Sequence, residues 1–371
     1  MGAHRRTCKA AVLERFDEPL AVREFDVPEP AEGEVLVKLL ASGVCGSDVH
    51  MWRGKDPRTP LPLILGHEGV GEIAALGSPR TDIVGNELAA GDIVMWERGI
   101  MCGRCYYCVV AKRPALCPSR RTYGISVSCK EPPHLRGCYS EYMLLFPVTN
   151  LLKIGQDVDP SSLVAASCSG ATAANAVEQC NVRSGDTVVV QGPGPLGLFV
   201  AAFALDAGAS TLIVTGTEQD RKRLDFAEAF GATETLCTSD MSGENMVERL
   251  REVTDGRGAD VVIDCTGSPH AMRDGIRMVA RGGTYALPGV ATPIGELPVR
   301  FFEEVSVKNV RLQGIWVSDT SHLYRAARLV GTGKFPFKRL VTHVFSLEEA
   351  TQALEVTEKR EAIKAVIVPA G

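Results

Sequence analysis

The 371-residue chain contains no apolar run approaching the ~20 residues that cross a bilayer as a helix. It has no excess of positive charge either: the formal net charge is −5 and the pI is near 5.9. The first absence argues against a membrane span, the second against a nucleic-acid or anionic-membrane partner. The opening Met1-Gly2-Ala3-His4-Arg5-Arg6 has basic residues but no apolar stretch behind them, so no secretory signal is expected. Arg6 stands where myristoylation of Gly2 would need Ser or Thr. The cytoplasm is the expected compartment.

The bulk composition, 45% apolar and 23% charged, is that of a globular protein, and the length suits two domains with a core each. Cysteine is the unusual component. There are twelve, and Cys102, Cys105, Cys108 and Cys117 fall within sixteen residues. In a reducing compartment such clustering reads as metal binding rather than disulfides. Two CxxC steps sharing a central cysteine let three thiolates wrap one ion, and Cys117 can close the tetrahedron. Four thiolates leave no open position, so this site would hold a loop without catalysing.

A second set has different chemistry. Gly43-Val44-Cys45-Gly46-Ser47-Asp48-Val49-His50 brings a thiol, a hydroxyl, a carboxylate and an imidazole into six residues. Gly66-His67-Glu68 follows about twenty residues on. Cys and His are preferred zinc ligands, and a catalytic zinc needs only three from the protein. Cys45 and His67 are the first two expected. Either alone would read as a buried thiol or a core histidine. Ser47 and Asp48, without a metal nearby, would read as turn or segment caps.

Taken in order, the first half reads as short strands at 10–13, 34–40, 64–65, 70–73 and 92–95, with glycine corners between them. This is the pattern of a partly closed β-barrel, with the Cys45/His67 set on loops between strands. Near residue 150 the texture changes. A small-residue, helix-prone stretch over 164–174 carries Cys168. A strand over 186–191 then runs into Gly192-Pro193-Gly194-Pro195-Leu196-Gly197 and an apolar helix over 198–207. A GxGxxG that follows a strand and opens a helix is the dinucleotide fingerprint. Strands and helices alternate onward at 211–215, 223–230, 245–253, 259–264, 271–280 and 283–287, which predicts a doubly wound parallel sheet. Cys265 and Thr266 end a buried strand, where ligands of such sheets bind. A last strand–helix–strand set over 341–368 is expected to pack back on the first domain.

These motifs together resemble the zinc-dependent medium-chain dehydrogenases of the alcohol/sorbitol/threonine dehydrogenase type. The resemblance runs over almost the whole chain. It implies a GroES-like β-barrel catalytic domain over 1–165 and 318–371, with a zinc lobe at 99–118, interrupted by a Rossmann domain over 166–317. It implies Cys45, His67 and Cys168 as catalytic zinc ligands, although some polyol dehydrogenases have Glu at the third place. It implies Glu68 beside the zinc as a transient ligand, Asp48 as a supporting carboxylate, and Ser47 and His50 as the proton relay. Cys102, Cys105, Cys108 and Cys117 match the structural zinc set, with a Cys108–Cys117 gap one residue longer than the common spacing. A homodimer or homotetramer is the implied assembly.

The resulting expectation is a secondary alcohol or polyol giving up a hydride to NAD(P), its oxygen polarised by zinc and its proton leaving through Ser47 toward His50. An acidic or phosphorylated hydroxy compound is the alternative substrate. A non-catalytic zinc- and nucleotide-binding protein is the alternative of another class, while a zinc ribbon using Cys102 to Cys117 for nucleic-acid contact is disfavoured by the acidic balance and the glycine loop. The ribose acid falls at Gly216 by distance from Gly197, or at Glu218 counting back from the helix, beside Thr217. Glu218 favours NAD, while Arg221, Lys222 and Arg223 could instead pair with an NADP phosphate. Trp52, Arg98 and Trp316 are candidate pocket walls. Arg98 would suit an oxygen-rich or anionic substrate group, unless it turns outward to pair with Glu97 or another acid.

Overall fold

The computed structural model describes residues 6–155 and 158–369. The reading of residues 1–5 lies outside them. The chain divides into two units, Met1–Cys168 with Asp319–Gly331 and Phe337–Gly371, and Ser169–Ser318 with Thr332–Pro336. The sequence expectation set the boundaries at 165/166 and 317/318. Among the described residues no helix is long and apolar enough to cross a membrane.

The first unit is built on antiparallel strands. Val35–Gly43 is the hub, pairing with Glu68–Leu76, with Tyr142–Leu145 and with Lys364–Ile367. Its sequence VLVKLLASG is β-branched and apolar at most positions, and it is buried almost throughout. A three-stranded sheet of Thr7–Leu13, Ala21–Asp26 and Leu63–Ile64 lies alongside, tied in by a bridge between Ala10 and Ser140. That is the partly closed arrangement the glycine corners suggested. The C-terminal set returns to this unit as Val341–Phe345, Ala350–Glu358 and Lys364–Ile367. It delivers Lys364–Ile367 to the hub strand.

One expectation is corrected. The Cys45 segment is not a loop, because Gly46–Trp52 is a helix with Cys45 as its N-cap. The Asp48 carboxylate accepts the Cys45 amide at 2.8 Å, satisfying a donor the helix start would otherwise leave open. Seven residues are too few for a period to show in the sequence.

The second unit is a six-stranded parallel sheet. Across it the strands run Glu234–Cys237, Thr211–Gly216, Thr187–Gln191, Ala259–Asp264, Val279–Leu287 and Arg311–Gly314. By chain position this is the order 3-2-1-4-5-6 of the Rossmann fold, whose reversal point lies beside the first strand. The glycine loop leaves that first strand. Each of its glycines has a separate reason. Gly192 has φ +96°, and a Cβ there would meet Thr266 Cγ2 at 2.7 Å. A Cβ on Gly197 would collide with the Gly192 carbonyl, so only glycine lets the helix Pro195–Asp206 pack this close. A Cβ on Gly194 would meet nothing, which leaves the face of the loop open.

Candidate functional site

Cys45, His67, Glu68 and Cys168 present ligand atoms that all lie within 4.8 Å of one another. The hub strand ends at Gly43, just before Cys45, and Glu68 opens the strand beside it, so sheet pairing sets the positions of both segments. Gly66, φ +90°, lets the chain pass against Tyr139, whose ring would collide with any Cβ. Cys168 ends the run of short helical turns Pro160–Leu163 and Val164–Ser167.

Asp48 organises the cluster. It is fully buried, and its Oδ1 lies 3.1 Å from His67 Nδ1. Its Oδ2 accepts from the Cys45 amide and, at 3.3 Å, from the Tyr139 hydroxyl. With Nδ1 engaged, the other imidazole nitrogen points away from Asp48. His67 Nε2 is buried and has no hydrogen-bond partner among the described residues. A buried nitrogen without a partner is costly unless something binds it. With the two thiols, His67 Nε2 makes a donor set that a zinc ion fits in type and number.

The thiols are electrostatically prepared. Cys45 is held well below the ordinary thiol range by a hydrogen bond with Cys168 and, against burial, by His67, while Cys168 is pushed up by the same bond. A metal ion bound by both would need both as thiolates. Burial raises the Glu68 carboxyl to about 7, with Lys364 opposing the shift. Glu68 is ion-paired with Lys364, also buried. Lys364 was missed by the sequence reading, as was Tyr139. The available signal was a lone lysine in front of the apolar run Ala365-Val366-Ile367.

Ser47 and His50 stand on the same short helix. The Ser47 hydroxyl lies 3.9 Å from Cys45 Sγ, and His50 is half-buried at the helix end. Burial lowers the His50 pKa, with Cys45 opposing, so the ring is neutral at pH 7.

Of the three candidate walls, Trp52 is corrected. It is buried in the barrel core, its indole N–H donates to the Glu18 carbonyl at 2.7 Å, and Arg53 lies over its ring. Arg98 does not turn outward as its polar character favoured. It is buried, and although burial opposes its charge, Cys168, Glu97, Cys45 and Glu68 together hold its pKa up. Glu97 instead lies 4.0 Å from Arg120, and the flanking Gly99 amide donates to it. Trp316 is exposed and belongs to the second unit, not to the unit of the cysteine–histidine cluster.

Cys102, Cys105, Cys108 and Cys117 also converge within 4.8 Å, the longer final gap included. Pro114–Leu116 forms a 3-10 turn that absorbs the extra length and delivers Cys117. The Arg104 amide, with Cys117 and Cys105 adding to it, holds the Cys102 thiol down to about 6. Four thiols around one point supply a full tetrahedral ligand set and fit a structural zinc.

In the second unit, Gly192, Gly194 and Gly197 line the turn, and Pro195 and Leu196 open the helix behind it. Cys265 and Thr266 lie against this turn, with the Cys265 amide donating to Gln191 O at 2.9 Å. The strand ends at Gly216, and Thr217 caps the turn Glu218–Asp220. Glu218 is exposed and bound to Arg221 at 2.7 Å, and Arg221 also reaches Asp240 at 2.7 Å. Arg223 lies 3.6 Å from Asp220. Glu218, Cys237 and Asp240 converge as well, but Arg221 bridges the two carboxylates, so this is an ion-pair cluster.

Known proteins share both halves of this arrangement. The family described as alcohol dehydrogenase GroES-like domain matches residues 31–156, and that described as zinc-binding dehydrogenase matches 195–332. A 5-exo-hydroxycamphor dehydrogenase of Pseudomonas putida is 33% identical over 93% of this chain and 95% of its own length. The chain belongs to the zinc-dependent medium-chain dehydrogenases. An alcohol dehydrogenase of Thermotoga maritima has the same fold at a TM-score of 0.95 and 43% identity, over 98% of this chain and 100% of that one. A putative zinc-binding dehydrogenase of Sinorhizobium meliloti, solved with NADP, has a TM-score of 0.86 and 29% identity over 98% and 100%. This dehydrogenase is thus an oxidoreductase of the zinc- and NAD(P)-using type, acting on a small molecule.

The Asp48–His67 pair yields a test. Asp48→Asn keeps the shape but removes the charge that orients His67. The affinity of this site for zinc should fall by about 10- to 100-fold, as is usual when a ligand's supporting carboxylate is lost. Zinc bound by the four-cysteine lobe should be unchanged. Competition with a chromophoric chelator measures the two sites separately, and equal loss from both would refute the assignment.

Proposed function

We propose that the protein oxidises a secondary alcohol or polyol to the carbonyl compound, or catalyses the reverse, with NAD as the hydride carrier. The observation that carries this reading is the convergence of Cys45, His67 and Cys168, with His67 Nε2 buried and left for a metal. We assign these three as the catalytic zinc ligands and Cys102, Cys105, Cys108 and Cys117 as the structural ones. Zinc supplies a Lewis acid for the substrate oxygen when bound, and nicotinamide supplies the hydride acceptor.

The remaining work falls to the chain. Asp48 fixes the His67 tautomer. Ser47 takes the substrate hydroxyl proton, and neutral His50 carries it onward to solvent. Lys364 holds Glu68 by its charge, so Glu68 acts as a neighbour of the ligand set that binds the ion only transiently. Backbone amides of the loop from Gly192 to Gly197 and the start of the following helix receive the cofactor pyrophosphate. The reading of NAD rests on Glu218, with Arg221 already engaged by Glu218 and Asp240. A homodimer or homotetramer in the cytoplasm is the expected state. Exposed Phe301, Phe302 and Leu312 near the sheet's last strand support self-association.

A second reading of the substrate has an observation behind it. Arg98 is charged, buried and electrostatically coupled to Cys168, Cys45 and Glu68. A guanidinium there would give forked hydrogen bonds to a carboxylate, phosphate or vicinal diol. A simple alkanol has one oxygen and returns no such fork. An acidic hydroxy compound is the substrate this favours.

Three measurements follow. Metal analysis of the active protein should find two zinc ions per chain. Cys45→Ser should lose one with the activity while staying folded, whereas Cys105→Ser should lose the other and melt earlier. One zinc or none in undamaged active enzyme would contradict this. Steady-state kinetics should give a lower Michaelis constant for NAD than for NADP, and Glu218→Ala should narrow the gap. The opposite preference would overturn the role of Glu218. Arg98→Leu, assayed on the best polar substrate and on a plain secondary alcohol, should impair the polar one selectively. An equal change in both would remove Arg98 from substrate reading.

A further inference from the structure

The second unit contains a cavity of about 630 Å³ that the site above does not use. It is lined by Arg251 from the helix Gly243–Glu252, by the turn over 255–258 with Asp260, and by Arg277, Arg281 and Lys308. Asp260 and Val279 lie at the amino ends of the strands Ala259–Asp264 and Val279–Leu287. The glycine loop follows the carboxyl end of the neighbouring strand Thr187–Gln191. A six-residue strand spans roughly 20 Å, so the cavity and the dinucleotide loop occupy opposite edges of the sheet.

Its charge opposes that of the whole chain. Five cationic side chains, Arg251, Arg257, Arg277, Arg281 and Lys308, face two acids, Asp255 and Asp260, in a protein of net charge −5. The acids cancel little of this. Asp260 stands 4.0 Å from Arg257 and gives its other oxygen to the Thr187 amide. Arg277 reaches the exposed Glu244, at 3.7 Å. Arg281 donates to the Val307 carbonyl, and Lys308 donates to those of Ile276 and Arg277, which orients both cations without neutralising them. Burial lowers the Lys308 pKa, Arg251 and Arg281 lower it further, and Glu304 opposes them. Like charges gathered in a concave site disfavour one another, and a bound anion relieves that repulsion.

We infer that this cavity binds a small organic compound carrying two phosphate groups, gripped by Arg251, Arg277 and Arg281. Guanidinium matches phosphate oxygens in pairs and stays charged. The volume is that of a small-molecule site. The cations come from separate segments and surround a hollow, an arrangement for a compact polyanion rather than for a polymer backbone.

Isothermal titration of the zinc-loaded enzyme tests it, with the dinucleotide site saturated by the preferred cofactor and ionic strength fixed with sodium chloride. Fructose 1,6-bisphosphate and ADP are the probes, and the one that binds separates a sugar bisphosphate from a nucleotide diphosphate as the source. The expected result is saturable binding of one molecule per chain by at least one probe. Arg251→Ser with Arg281→Ser should weaken it by about tenfold or more, with melting temperature and cofactor Michaelis constant unchanged. Both residues are exposed, so the double variant should fold. No saturable heat from either probe, or equal affinity in the variant, would overturn the proposal.

Discussion

The hydrogen bonds of one carboxylate tie the catalytic half of this protein together. Asp48 has two oxygens and three partners: the His67 ring, the Cys45 amide and the Tyr139 hydroxyl. A buried carboxylate without such partners would be expensive. With them it couples the N-terminus of the helix Gly46–Trp52 to the segment that opens the strand Glu68–Leu76. The same bonds decide which imidazole nitrogen is free. The carboxylate that ties these segments together is therefore also the one that orients the imidazole beside the thiols.

Charge around the centre is balanced in layers. Lys364 faces Glu68, and Arg98 is held charged by Cys168, Glu97, Cys45 and Glu68. Removing one member of such a buried pair typically costs about 3–5 kcal/mol, because the other is left uncompensated. The lobe of four cysteines stands outside this economy of charge. Cys105 caps and Cys108 sits in the short helix Tyr106–Val109, and Cys117 follows the 3-10 turn Pro114–Leu116; these elements bury little of their own, and a structural metal suits such a segment.

The parts legible in the sequence were those carried by local spacing. CxxCxxC, the His-Glu pair and the glycine loop each state their chemistry within a few residues. The strand–helix alternation of the second unit was visible because it repeats the same period several times. What depended on distant partners was not. Lys364 reaches Glu68 only because the C-terminal strand pairs with the hub strand, and no local pattern announces that. Trp52 follows Ser47 and His50 closely in sequence yet turns into the core, since its indole finds the Glu18 carbonyl there. The helix Gly46–Trp52 was read as loop because its start depends on a carboxylate three residues inside it. Arg98 was open between a pocket wall and an outward turn toward Glu97, and the structure buries it with nearby thiols and acids holding its charge.

The central claim is that Cys45, His67 and Cys168 hold a metal ion oriented by Asp48. Anomalous diffraction at the zinc edge from crystals of active enzyme tests it most directly. The account predicts two peaks per chain, one among these three residues on the Nε2 side of His67 and one within the four-cysteine lobe. A single peak confined to the lobe, in crystals that still turn over substrate, would contradict it.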